Sequence, residues 1–187
     1  MKIIQLFKNE EKLLKKAIQN NREAQNMLFK LYSPKMLSVC RYYIKDIQFA
    51  EEVMLNGFFK VFSNLKKFQN KGSFEGWIRR IMVRESISFL RKKNNIEFVV
   101  DDVEIQNNLT VTINSDLDVA HIQSMIDSLP NGYKIVFVMY AIEGYKHQEI
   151  SKILNITEGT SKSQLFKARK TLQQKINKLN NTSYGSS

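Results

Sequence analysis

The sequence predicts an all-α protein of two small helical domains joined by a flexible acidic linker, the C-terminal domain carrying a helix-turn-helix. Three observations predict it. Helix breakers are scarce, with two Pro and seven Gly in 187 residues. Aliphatic side chains recur at spacings of three and four through most of the chain, as they do along one face of a helix. That spacing lapses once, between Asn94 and Asp118, where six acids occur without a single Lys or Arg.

The N-terminal domain, residues 1–93, shows the helical pattern four times. Residues 24–32 place Ala24, Met27, Leu28 and Leu31 on one stripe, and residues 36–44 do the same with Met36, Leu37, Cys40, Tyr43 and Ile44. The clearest stripe is Ala50, Val53, Met54, Gly57, Phe58, Val61 and Phe62, which follows i, i+3, i+4, i+7, i+8, i+11, i+12 and marks a helix packed on a core. A loop at about 67–73 follows. Ser73 is a candidate N-cap for a helix carrying Trp77, Ile78, Ile81, Met82 and Phe89, which ends in the basic run Arg91, Lys92, Lys93.

Residues 94–117 replace the stripe with Asn, Thr, acids and isolated Val or Ile, the composition of a linker without a core of its own. A short strand pair, FVVDDVEI with LTVTI, is the alternative. The helical pattern resumes in the C-terminal domain, residues 118–180, with Leu117, Ile122, Met125, Ile126 and Leu129 up to Pro130-Asn131-Gly132. Next come a helix with Ile135, Val136, Val138, Met139 and Ile142, a turn at Glu143-Gly144, and a short helix of about 147–154. The turn Asn155-Ile156-Thr157 leads into a long basic helix, about 158–179. Residues 181–187 read as a disordered tail.

Two short helices across a three-residue turn, the second one basic, form a helix-turn-helix. The Thr157 hydroxyl can cap the second helix and leave other N-terminal amides free to face a phosphate. Gly159 and Thr160 are small where that helix would enter a groove, and Lys162, Ser163, Phe166, Lys167, Arg169 and Lys170 supply cations and hydrogen-bonding groups. Tyr145 to Lys178 holds eight Lys or Arg against two acids, a concentrated footprint for phosphates. The whole chain carries a formal charge of +11, which favours nucleic acid or, as a weaker alternative, an anionic membrane surface.

Other chemistries find little support. Cys40 is the single cysteine, so an internal disulfide or a cysteine-based zinc cluster is excluded, and its apolar neighbours mark it as core. His121 and His147 have no ligand-like neighbours in sequence, so no metal or other cofactor is expected. Glu51 and Glu52 are adjacent and point to different sides of a helix, and no phosphate-cradling glycine loop occurs. The chain therefore reads as a non-enzyme. It has no leader-like segment or long apolar run, so a cytoplasmic location is expected.

The stretch LPNGYKIVFVMYAIEGYKHQEISKILNITEGTSKSQLFKARKTLQ (129–173) resembles the promoter-binding C-terminal domain of bacterial sigma factors of the extracytoplasmic-function group. AEEVMLNGFFKVFSNLKKF (50–68), GSFEGWIRRI (72–81) and FLRKK (89–93) resemble the same group's N-terminal domain. The resemblance implies a protein that binds core RNA polymerase and directs promoter-specific initiation. By this resemblance the helix at 50–62 docks on the polymerase clamp through Glu51, Glu52, Leu55, Asn56, Phe59 and Lys60. The stretch at 66–93 melts the minus-ten element and captures a flipped base, with Lys71, Phe74, Trp77, Arg79, Arg80 and Arg84 at the melted strand. The recognition helix binds the minus-35 element through Gly159, Thr160, Lys162, Ser163, Phe166, Lys167, Arg169 and Lys170.

Departures from the family pattern fall mainly in the N-terminal domain. Leu55 and Asn56 stand where Gln and an acid are usual, Arg84 where an Asn serves the base pocket, and Ser88 where an Asp is common. An Arg lacks the paired donor and acceptor of an amide, so the expectation is weak or unusual minus-ten recognition with help from a DNA-targeting partner. An anti-sigma protein is a further partner the resemblance admits. Lys146 occupies an N-cap position where a hydroxyl is usual, at a local cost of about 1 kcal/mol. The competing reading is a stand-alone helix-turn-helix regulator that has lost productive polymerase docking.

Overall fold

The computed structural model describes residues 2–69, 72–93 and 119–183. The chain divides into two compact units, Met1–Lys93 and Asn94–Ser187. Every regular element among the described residues is helical. The linker expected at 94–117, with its alternative strand pair, lies outside the described residues, as do Lys71 and the last four residues of the tail.

The first unit contains α1 (Lys2–Ile18), α2 (Arg22–Tyr43), α3 (Ile47–Ser63), a single 3-10 turn (Leu65–Lys67) and α4 (Phe74–Lys93). α1 has no counterpart among the stripes read from the sequence. α2 joins two stripes into one helix that runs through Pro34. Pro34 removes one backbone donor, but it sits on the exposed side, where water can satisfy the freed carbonyl. Side-chain oxygens start the next helices: Asn21 accepts from the Ala24 amide at 2.8 Å and Asp46 from the Gln48 amide at 2.8 Å. Ser73 accepts from the Gly76 amide at 3.1 Å, the cap its position predicts.

The core of this unit gathers Leu28, Met36, Cys40 and Tyr43 from α2, Ala50, Val53, Phe58 and Val61 from α3, and Ile78, Met82 and Val83 from α4. Two members of the expected α2 stripe are not in it: Met27 is 55% and Leu31 48% exposed. Tyr32, which the stripe did not include, is buried in this stretch, so the covered face there is rotated from the one the spacing favoured, while Met36 is buried as expected. α3 and α4 approach most closely at Gly57, where a Cβ would overlap Met82 Sδ and lie 2.9 Å from its Cε. At the far end of α4, the Lys93 ammonium lies 3.2 Å from the Phe49 ring centroid, a cation–π contact that closes the helix onto α3.

The second unit contains α5 (Val119–Asp127), α6 (Asn131–Phe137), a π-helical segment (Val138–Ile142), α7 (His147–Leu154) and α8 (Glu158–Ser183). Ile135, Val136, Val138, Met139, Ile150, Leu154, Leu165 and Ala168 form its core. The helix begun by α6 widens to π pitch before the turn, with the Glu143 amide bonded to the Val138 carbonyl at 2.9 Å. Gly144, at φ +75°, then lets the chain reverse. Asn155 ends α7 in the left-handed region at φ 57°, a conformation Asn tolerates better than most residues. α8 runs to Ser183, past the expected end at 179 and into the segment expected to be disordered. Half-buried Leu172 and Ile176 and the Lys175 ammonium, 2.6 Å from Ser128 Oγ, anchor its later turns. Propagating a helix already begun is easier than nucleating one.

The crossing at Gly57 yields a first prediction. Gly57→Ala should destabilise the protein by about 1–3 kcal/mol through overpacking against Met82, despite the better helix propensity of Ala. Added to Met82→Ala, the same change should cost nothing or restore stability. Denaturant unfolding of the two single variants and the double variant measures the coupling, and strictly additive effects would contradict it.

Candidate nucleic-acid interface

The cations of the second unit sit on a helix whose opposite side is buried in small polar residues. The Thr157 hydroxyl accepts from the Thr160 amide at 2.9 Å and lies 2.8 Å from the Thr160 hydroxyl, which fixes the first turn of α8. Gly159, Lys162, Arg169 and Lys170 are exposed, and Phe166 and Lys167 are half-buried. Thr160 and Ser163, expected at the groove, are instead 5% and 4% exposed. The Ser163 hydroxyl donates to the Thr160 carbonyl at 3.0 Å, so both side chains serve the helix and its packing. The residues left to meet a groove are Gly159, Lys162, Phe166 and Arg169, which recur at helical spacing, with Lys167 and Lys170 at their flank.

Two tyrosines that the sequence pattern did not single out lie against these cations. Tyr133 lies under Lys167, its ring centroid 6.0 Å from the ammonium. The Arg169 guanidinium lies 5.6 Å from the Tyr140 ring centroid, and Tyr140 stacks on His147 at 4.6 Å and 24°. His147 Nδ1 is 2.9 Å from the buried Ser161 hydroxyl. Arg169, Tyr140, His147 and Ser161 thus form one connected set linking α8, the π segment and α7. Burial pushes the His147 pKa below its ordinary 6.5, and Lys162 and Arg169 push the same way against Glu158. Lys146 offers no side-chain cap, but its amide donates to the Glu149 carboxylate at 2.9 Å, so half of a capping box survives without the hydroxyl.

In the first unit the loop ahead of α4 makes a pocket of about 230 Å³, lined among others by Lys67, Phe68, Gln69, Ser73, Trp77 and Arg80. Phe68 and Trp77 touch along one wall, their centroids 5.5 Å apart and their planes tilted by 44°. Two aromatic faces flanked by two cations and two hydrogen-bonding side chains suit an unstacked base with its phosphates. Trp77 and Arg80 were legible in sequence, whereas Lys67, Phe68 and Gln69 were missed because a loop shows no periodicity. Phe74, expected at the melted strand, is 2% exposed and forms the floor beneath Trp77 instead, their rings stacked at 5.8 Å. Arg84 is exposed, while Arg79 is half-buried and engaged by its neighbours.

The outward face of α3 is unlike an ordinary solvated helix face. Glu51, Glu52, Asn56 and Lys60 are exposed, Lys60 paired with Glu85 at 2.7 Å. Among them Ile47, Leu55 and Phe59 are 49%, 53% and 74% exposed. These three share one face with Glu51 at four-residue steps, an apolar stripe that a monomer gains nothing by exposing.

Comparison with known proteins follows this division of the chain. Residues 28–96 match the family model for sigma-70 region 2 and residues 121–172 that for sigma-70 region 4, which together span more than half of the chain. The ECF RNA polymerase sigma factor SigW of Bacillus subtilis is 24% identical over 184 residues, covering 90% of this chain and 97% of the relative. The ECF RNA polymerase sigma-E factor of Haemophilus influenzae is 23% identical, covering 91% and 96%. Two solved structures share the fold. CnrH in complex with the cytosolic domain of CnrY has TM-score 0.52 and 18% identity over 88% of this chain and 95% of that one. RpoE of Bartonella quintana, in complex with the anti-sigma factor NepR, has TM-score 0.54 and 19% identity over 82% and 96%.

The His147 environment sets the sign of a pH effect. Because the folded state holds the imidazole neutral, the unfolded chain takes up the proton first as pH falls. His147 should therefore cost nothing above about pH 6.5 and reduce stability progressively below it, until the pH passes the lowered folded value. Chemical denaturation of wild type and His147→Asn across pH 5–8, a range of roughly one unit and more on either side of that value, isolates this contribution. Parallel curves for the two proteins would refute it.

Proposed function

The chain belongs to the sigma-70 family, in its extracytoplasmic-function group, and from that premise we propose how its surfaces divide the work of initiation. It binds core RNA polymerase and directs promoter-specific initiation, acting within the cell as a regulatory protein. α3 docks on the polymerase clamp through Leu55 and Phe59, with Glu51, Glu52, Asn56 and Lys60 around them. The single observation that carries the docking role is the exposure of Phe59 in line with Leu55. Such a stripe suits the dry centre of an interface ringed by polar groups. A stand-alone DNA-binding regulator has no use for it.

The recognition helix takes the minus-35 element. Lys162 and Phe166 point into the groove from the first turns of α8, and Lys167, Arg169 and Lys170 grip phosphates. Tyr140 and Tyr133 restrict the long side chains of Arg169 and Lys167 before DNA arrives, which lowers the ordering cost of binding. The pocket beside Trp77 takes one unstacked base of the minus-ten strand, with Arg80 and Arg84 on the backbone. A guanidinium at 84 attracts any phosphate equally, so it adds affinity and little discrimination.

Minus-ten selection is accordingly weak, and placement at promoters draws on a second protein, either a DNA-targeting partner or release from an anti-sigma factor. The complex of RpoE with the anti-sigma factor NepR supports a regulatory partner of the second kind. No helix among the described residues is long and apolar enough to cross a membrane, and a cytoplasmic location fits a partner of RNA polymerase.

Two experiments test this division. The tagged chain should co-purify with its host's core polymerase and initiate on a melted-bubble template. Phe59→Ser should weaken polymerase binding at least roughly ten-fold, as loss of a central interface aromatic does, with the unfolding midpoint unchanged. Absence of binding at low salt would move the chain to the stand-alone regulator class. On a library of randomised promoters, polymerase carrying this chain should select a defined minus-35 sequence that Lys162→Ala blurs, and only a loose minus-ten. A sharp minus-ten consensus would overturn the weak-selection proposal.

A further inference from the structure

The pocket wall is held from behind by residues on two other helices. Phe74 meets Phe68 at 5.2 Å and Trp77 at 5.8 Å, so the floor ring touches both rings that line the pocket. On its other side the Phe74 ring takes the edge of Tyr32, from α2, at 5.6 Å and 75°. The Tyr32 hydroxyl in turn donates to the Glu10 carboxylate of α1. A second tie from α2 reaches the same spot, with Lys35 and Glu75 paired at 2.6 Å. α1 also packs on the 3-10 turn Leu65–Lys67, which carries Lys67 to the pocket rim. This helix therefore contacts one wall directly and reaches the other through Tyr32 and Phe74. It also lies ahead of residue 28, where the region 2 match begins.

The arrangement is more than a routine core contact. Tyr32 is 7% exposed, and its ring would fill the same space without a hydroxyl. The hydroxyl spends its proton on an ionised acceptor, a bond about twice as strong as one between neutral groups. A ring tethered at its far end is restrained, so Phe74 keeps its place and supports the touching pair Phe68 and Trp77. Stacking on a base rewards such preorganisation, because a wall that must be ordered on binding gives back part of the stacking energy.

We propose that Glu10 and Tyr32 are positioning residues for base capture, and that their hydrogen bond holds the Phe68–Trp77 wall of the pocket in place through Phe74. This inference rests on the reading of that pocket as the site of an unstacked minus-ten base. α1 is then part of the promoter-selecting machinery without touching DNA.

The test uses wild type, Tyr32→Phe, Glu10→Ala and Glu10→Gln, each assembled with core polymerase. The templates are premelted bubbles in which each minus-ten position of the non-template strand is made abasic in turn. Wild type should depend on the base at one position above the others. Tyr32→Phe and Glu10→Ala should each flatten that dependence roughly five-fold, the effect of one lost hydrogen bond. Combining them should add little, because they break the same bond. Glu10→Gln should stay near wild type, since the amide carbonyl still accepts. Polymerase affinity and minus-35 binding should not change.

The free protein gives a second readout, because Trp77 is the only tryptophan. Its emission should shift to the red and its quenching by acrylamide should rise in Tyr32→Phe and Glu10→Ala, but not in Glu10→Gln. Loss of activity spread evenly over all positions, tracking a fall in thermal stability, would make the contact structural and overturn the proposal. So would full discrimination in both bond-breaking variants, which leaves the pocket itself intact. No position dependence in wild type would instead remove the base-pocket reading and the proposal with it.

Discussion

The first unit depends on how closely α3 and α4 can cross, and that distance is set by the absent side chain at Gly57. Met82 fills the space a Cβ would take, so the two helices meet backbone to side chain with nothing between them. With α3 pinned on that side, its opposite face must point outward along its full length. Ile47, Leu55 and Phe59 lie on that outward face and are exposed. The same crossing fixes the start of α4, where Ser73 caps the helix and Phe74 turns in beneath Trp77. One glycine thus relates the exposed apolar stripe of α3 to the pocket beside Trp77 within one compact unit.

The second unit solves a different problem, which is to bury the first two turns of a cationic helix ahead of its apolar stripe of Leu165, Ala168 and Leu172. α8 covers Thr160, Ser161, Ser163 and Gln164 in its first two turns, none more than 5% exposed. Small hydroxylated side chains allow close approach to α6 and α7, and their polar atoms are met locally. Thr157 serves Thr160, Ser163 bonds a carbonyl one turn back, and Ser161 meets His147. Buried polar groups so satisfied add little net stability, but they define a unique seating for the helix. A recognition helix needs that definition, because its cations act only if they emerge at fixed angles.

Much of this was legible in the sequence, and the failures have physical causes. The α3 stripe, the caps at Ser73 and Thr157 and the core placement of Cys40 follow from spacing and side-chain chemistry. Periodicity failed where an amphipathic helix offers two apolar faces. Met27 and Leu31 fit the pattern as well as Tyr32 does, and only tertiary packing decides which of them is covered. It failed again at Thr160 and Ser163, since hydroxyl side chains suit a groove and a tight helix contact equally. The pocket was half visible: Trp77 and Arg80 lie on a helix, but Phe68 and Gln69 reach them through a loop whose course no local pattern encodes. The Tyr140–His147 stack depends on a π turn, which shifts the phase of every side chain after it.

The two DNA-facing surfaces differ in what they can discriminate, and this bears on why a cation at 84 is tolerable. On α8 two cations, Lys167 and Arg169, lie against the rings of Tyr133 and Tyr140, and the helix beneath them has a buried seating. Arg84 is exposed, as is Arg80, and flexible cations on an exposed face respond to phosphate density and hardly to base identity. Binding through several linked surfaces does not require each to be selective. Once polymerase docking and the minus-35 contact hold the chain, a further contact acts at high effective concentration and can be weak. Under the proposed arrangement the minus-ten surface would add strand capture and affinity, and sequence choice would fall to the better-defined recognition helix and to the partner proposed to place the polymerase.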